Sequence, residues 1–156
     1  MNKTELFIQN ARILSERFGI VPLLYGSVGL EYLTGEDIGA DDIDILIPRV
    51  YITEKWAEFK AFLEAHGYIL TDEREHTFIF EGESYSYADI EDLESYIRVD
   101  ISNIKVYEEC GVRFMVLGLD EYLAVYERSQ TDGYRVNVRK KKDNEKIKFI
   151  KGRKQQ

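Results

Sequence analysis

The stretch from Leu23 to Pro48 limits the fold more than any other part of the chain. An apolar run, Leu23-Leu24-Tyr25, ends in Gly26-Ser27. Fourteen residues later Asp42-Ile43-Asp44-Ile45-Leu46-Ile47 begins, and Pro48 stops it. Side chains in a strand point alternately to its two faces. Ile43, Ile45 and Ile47 therefore share one face, and Asp42 and Asp44 take the other. Two carboxylates side by side repel unless something positive lies between them. A hard divalent cation such as Mg2+ meets that need, and it usually arrives with phosphates.

Gly26-Ser27 suits the same chemistry. A glycine after a buried strand lets the backbone approach a ligand closely. The N-terminus of the next helix presents unpaired N–H groups and a positive dipole end, which favours phosphate. Ser27 adds a hydroxyl donor. Taken singly, a Gly-Ser pair reads as an ordinary strand-to-helix turn, and an Asp-x-Asp as a loop or capping cluster. The two together, with isoleucines drawing the acidic pair into ordered structure, are more specific than either.

Around this stretch the chain alternates helix and strand. Phe7, Ala11, Leu14 and Phe18 mark one face of a helix over residues 3 to 18, with Asn2 as N-cap and Gly19 just past its end. Residues 20 to 25 read as a buried strand, Val28 to Leu33 as a short helix capped by Ser27, and Thr34 to Asp41 as a loop. Thr53 is the expected cap of a helix reaching about Ala65. Residues 68 to 88 read as extended, with a turn near Glu81-Gly82, and Asp89 to Glu94 as a loop or single helical turn. Tyr96 to Ile101 alternates as a strand, with Ile97, Val99 and Ile101 on one face and Arg98 and Asp100 on the other. Short strands are expected at Val106-Tyr107 and Val112–Val116, and a helix at Leu119–Ser129. A Thr131-Asp132-Gly133 turn then leads into a basic helix from about Val138 to Ile150, with a frayed tail from Lys151. The expected fold class is α/β (α+β), a mixed β-sheet with helices packed on it. At 156 residues the chain fits one domain.

Charge and composition narrow the function. The net charge of −8 combines a local +8 over Arg135 to Gln156 with −16 elsewhere. That acidity argues against general nucleic-acid binding, and the basic segment reads as a solvated helix whose positive face docks on the acidic body, with a phosphate-rich partner as the alternative. Lys140, Lys141 and Lys142 are candidates for phosphate contacts within it, but a solvated face fits them better. No apolar run approaches a membrane span, and the N-terminus lacks the pattern of a signal peptide. Cys110 is the only cysteine. It excludes an internal disulfide, fits a reducing cytoplasm, and reads as a small buried residue. His66 and His76 do not have metal-ligand spacing.

Gly26-Ser27, the 14-residue interval and Asp42-Ile43-Asp44-Ile45 resemble the signature of the nucleotidyltransferase superfamily, the polymerase-beta-like fold. The resemblance implies that Gly26 and Ser27 hold the triphosphate of an NTP, with ATP the expected co-substrate. It implies that Asp42 and Asp44 bind two Mg2+ ions and that a third carboxylate on a neighbouring strand completes the site. Asp100 is the expected third carboxylate, as metal ligand and base, and Asp89 is the alternative. The implied reaction transfers a nucleoside monophosphate to an acceptor hydroxyl, on a small molecule or a protein, with pyrophosphate leaving. Leu119-Asp120-Glu121-Tyr122-Leu123 and Lys142-Asp143 loosely resemble the ending of small members of the superfamily. Asp100 lies 56 positions beyond Asp44, so residues 68 to 95 must supply additional strands. The competing expectation is a binding or interaction module that keeps the fold without catalysis.

Overall fold

The isoleucine alternation becomes strand β2 (Ile43–Ile47), the centre of a seven-stranded sheet. The computed structural model describes residues 1–130 and 133–154, with side chains omitted from 131 to 143. The expected turn at Thr131-Asp132-Gly133, the Lys140-Lys141-Lys142 run and Asp143 lie outside the residues or side chains so described.

Strand β1 (Leu23–Tyr25) runs antiparallel to β2, pairing Leu23 with Leu46 and Tyr25 with Asp44. Beyond β2 lie β5 (Glu83–Asp89), parallel to it, then β4 (Thr77–Phe80) and β3 (Ile69–Asp72), each antiparallel to its neighbour. Beyond β1 lie β7 (Val112–Val116), parallel to it, and β6 (Val106–Glu109), antiparallel to β7. The order is β3-β4-β5-β2-β1-β7-β6. Residues 68 to 89 thus supply the additional strands that the sequence calls for.

One sheet face is the apolar core. Ile43, Ile45 and Ile47 are fully buried on it, beside Tyr85, Tyr87, Phe78 and Phe114. Helices α1 (Lys3–Phe18), α2 (Gly26–Thr34) and α3 (Trp56–Ala65) cover this face with aromatic rings. Phe7 and Tyr32 each meet Phe114, with ring centres 5.4 Å apart, and Phe59 meets Tyr87 at 5.2 Å. Edge-to-face and tilted packing of this kind adds to the value of the buried area. Buried tyrosines also need polar partners: Asn10, itself fully buried, donates to the hydroxyls of Tyr68 and Tyr87 at 3.0 and 2.7 Å. The opposite face carries Tyr25, Asp44, Leu46, Ser86 and Ala88. Helices α4 (Ile90–Ile97), α5 (Leu119–Ser129) and α6 (Gly133–Lys154) stand at its margin.

Several local expectations change. The Asn2 and Gly19 ends of α1 form as expected, the first as a full capping box with Glu5. Helix α2 begins at Gly26 and not at Val28, so Ser27 lies in its first turn and not at the cap. Thr53 does not cap α3; its hydroxyl donates back to the Arg49 carbonyl and closes a 3-10 turn over Arg49–Ile52. The expected strand over Tyr96 to Ile101 does not form. Ile90, Leu93 and Ile97 share a helical face, Asp89 caps the Glu91 N–H, and the helix continues to Ile97. Arg98 then turns left-handed at φ 53° and ends it. Cys110 is exposed, contrary to expectation. It sits with Gly111 in a two-residue β6–β7 hairpin turn, both at positive φ, where the side chain points away from any core. Helix α6 extends through Lys154, beyond the expected Ile150. No helix among the described residues is long and apolar enough to cross a membrane.

Candidate functional site

Gly26 lies at the junction of β1 and α2, at φ 61°, a backbone conformation that glycine adopts without strain. The antiparallel β1–β2 register sets Tyr25 opposite Asp44, which brings the turn and the acidic pair to the same end of the sheet. Their approach is close: a Cβ built on Gly26 would lie 2.5 Å from Asp44 Oδ2. Only a residue without a side chain leaves room for this arrangement.

Two cavities meet here. A cleft of about 460 Å³ is lined by Ser27, Asp41, Asp42, Asp44, Glu145 and Lys146. A second, of about 380 Å³, runs from Gly26 and Asp44 along the sheet past Leu46 and Ala88, with Tyr96 and Tyr126 among its walls. Ser27, Asp44 and Lys146 line both. One space is polar and acidic, the other largely aromatic and aliphatic, and Asp44 stands between them.

Residues far from the motif hold it in place, and the sequence reading missed their roles. Tyr122 of α5, fully buried, donates from its hydroxyl to the Gly26 carbonyl at 2.8 Å. Burial raises its pKa well above the usual tyrosine value, so the hydroxyl stays protonated as a donor. Gly29 makes that approach possible, since a Cβ there would lie 2.1 Å from the Tyr122 hydroxyl. Glu31 of α2 accepts from the Ile38 and Ala40 N–H groups at 2.7 and 3.3 Å, fastening the loop that leads to Asp42. Arg153 of α6 donates to Glu36 at 2.7 Å and to the Thr34 carbonyl at 3.0 Å. The aromatic and glycine spacing of α2 and α5 carried no sign of these contacts, because each joins elements far apart in the chain.

The structure brings Gly26, Ser27, Asp42 and Asp44 together and leaves Asp100 elsewhere. Asp100 lines neither cavity. It caps a 3-10 turn over Ile101–Asn103, accepting from the Ser102 N–H and hydroxyl at 2.9 and 2.7 Å. Those bonds hold its carboxyl below the usual range. The alternative, Asp89, does line the second cavity, but both its oxygens are engaged. Oδ1 accepts from the Glu91 N–H at 2.8 Å, and Oδ2 accepts from Arg49 Nε. His66 and His76 also lie outside both cavities; His76 packs on the Trp56 ring at 4.7 Å.

The resemblance implies Mg2+, and the donor set can be tested against it. Asp42, Asp44 and Ser27 offer oxygen donors only, in an open cleft. Mg2+ takes one or two carboxylates, keeps several waters, and completes its shell with substrate phosphates. The pair fits one such ion. Among the described residues, no group of three or more His, Cys, Asp or Glu side chains is placed to hold a metal.

No protein-family model matches the chain. The chain is 40% identical over 144 residues to the uncharacterized protein YnaI of Bacillus subtilis (strain 168), and the match covers 92% of each. The chain belongs to the YnaI family. Its fold is similar to that of the antibiotic-resistance factor ANT(2'')-Ia, known from a solution structure, with a TM-score of 0.53. That match covers 87% of this chain and 75% of the other at 14% identity. At such identity the likeness is one of fold. This YnaI-family chain has a nucleotidyltransferase-like fold, a mixed seven-stranded sheet with helices on it.

Proposed function

We propose that the protein is a Mg2+-dependent nucleotidyltransferase. It would transfer a nucleoside monophosphate from an NTP, with ATP the first candidate, to an acceptor hydroxyl on a small molecule or protein. The observation that carries this reading is the meeting of Ser27 with Asp42 and Asp44 in one cleft, with Gly26 packed against Asp44 beside it. The first turn of α2 offers its free N–H groups and the Ser27 hydroxyl to phosphate oxygens. Asp42 and Asp44 would hold the cation against those phosphates. Bound there, Mg2+ would neutralise charge developing on the phosphates as the bond to the leaving pyrophosphate breaks. Asp44, shared by both cavities, would hold the cation-bound phosphates at the edge of the aromatic space in which an acceptor can lie.

A second reading has its own support. On β5 the residue paired with Asp44 is Ser86, not a carboxylate. That favours a module that binds a nucleotide without transferring it. Thermal-shift measurements with a panel of NTPs and Mg2+ or Mn2+ address both readings. Stabilisation by a triphosphate that requires the metal, and is lost in the Asp42→Ala/Asp44→Ala double variant, supports the site. Pyrophosphate release on adding candidate acceptors then separates the enzyme from the module. No shift with any nucleotide would sink both.

A further inference from the structure

The strand beside Asp44 bears on how many metal ions the site can hold. β5 runs parallel to β2, pairing Asp44 with Ser86 and Leu46 with Ala88. Paired residues on adjacent strands project from the same face. Next to the acidic pair, β5 therefore presents a hydroxyl and then a methyl. The Ser86 hydroxyl is 2.8 Å from that of Thr77 on β4, so it is already partnered on its far side. Asp89 comes next, opposite Ile47, and is held by Arg49 and the Glu91 N–H. Releasing it would undo the cap of α4. Asp100 caps its own turn away from both cavities.

Charge balance gives the consequence. Two divalent ions a few ångströms apart repel strongly, and a paired-metal site offsets this with substrate phosphates and with carboxylates that reach both ions. Asp42 and Asp44 supply protein ligands for one divalent ion, and Lys146 adds a positive charge to the same cleft. Asp41 and Glu145 also line the cleft, but both are exposed, and neither forms a three-residue ligand group with the pair.

We infer that this chain binds its nucleotide with a single divalent cation, held by Asp42 and Asp44, because β5 places Ser86 and Ala88 where a second ion would need a carboxylate. The inference rests on the nucleotide-binding reading above. It departs from the pair of ions that the family resemblance implies.

The test counts ions directly. Equilibrium dialysis of the full chain with Mn2+ and saturating ATP analogue bearing an α,β-methylene bridge measures bound metal and bound nucleotide together. The expected result is one Mn2+ per bound nucleotide in the wild type, doubling in Ser86→Asp. Ala88→Asp, at an exposed position that spares the Thr77 contact, provides the same readout if Ser86→Asp fails to fold. Two ions per nucleotide in the wild type would overturn the inference and leave the nucleotide site standing. One ion in the wild type and in both folded variants would overturn the role given to β5. Retention of no nucleotide at all would remove the underlying reading, and this inference with it.

Discussion

Gly26 shows how one residue can tie backbone conformation to site chemistry. Its φ of 61° and its contact with Asp44 each exclude a side chain, for separate reasons. Gly26→Ala is expected to cost about 1–3 kcal/mol from strain and overlap combined. It should also weaken the nucleotide-dependent thermal shift beyond what the lower stability explains, because Asp44 must move. Tyr122→Phe tests the same turn from the other side. Losing the hydrogen bond to the Gly26 carbonyl should cost about 1 kcal/mol, read from denaturant midpoints, with the ring packing retained. Asp100→Asn belongs with these as a contrast. Its carboxyl caps only an exposed turn, so metal-dependent nucleotide binding should be unchanged. A loss of binding in Asp100→Asn would return Asp100 to the site.

Helix α4 replaces the strand that the alternation of residues 96 to 101 suggests, and its N-terminus shows why. Asp89 both caps the helix and accepts from Arg49, while Arg49 also reaches Asp92 at 3.1 Å. The two roles are separable. Arg49 is half exposed, so Arg49→Ala should cost little, as for surface ion pairs. Asp89 is nearly buried and also supplies the cap, so Asp89→Ala should cost more, about 1–2 kcal/mol. Urea unfolding of both single variants and the double variant gives the ordering. Equal costs would mean that the cap adds nothing. Since α4 walls the second cavity through Leu93 and Tyr96, Asp89→Ala should also alter acceptor binding more than nucleotide binding.

Across the whole molecule, stability rests on an aromatic core with few polar partners inside it. Burial raises the hydroxyl pKa values of Tyr85, Tyr87 and Tyr122 well above the ordinary value. The sign of the pH effect follows. The fold favours the neutral form, so this contribution is complete below the unfolded tyrosine pKa of about 10 and is lost progressively as pH rises above it. Ultraviolet titration should show exposed tyrosines ionising first, and these three only as the circular dichroism of the fold is lost. Early ionisation of all tyrosines in a folded protein would contradict this. Phe59→Ala, at a fully buried ring that touches Phe18, Trp56 and Tyr87, should cost about 3–5 kcal/mol.

The alternation of Ile43, Ile45 and Ile47 was enough to specify β2 and its buried face, because strand periodicity is a local property; Asp42 lies in the bend before the strand, and only Asp44 is carried on its other face. The periodicity of residues 3 to 18 was enough for α1 in the same way. The expectation that Gly26-Ser27 and the acidic pair lie close together comes from their combination, and a strand, a short helix and an antiparallel return do bring them to one end of the sheet. The alternation around Asp100 misled because Ile90, Leu93 and Ile97 also fit a helical face, and burial of that face against neighbouring elements, together with the Asp89 cap, outweighs a six-residue pattern. The Tyr122 bond to Gly26, the Glu31 hold on the loop and the pairing of Ser86 with Asp44 could not be read locally. Each depends on which strands and helices become neighbours, and that follows from closing the whole core, not from any one segment.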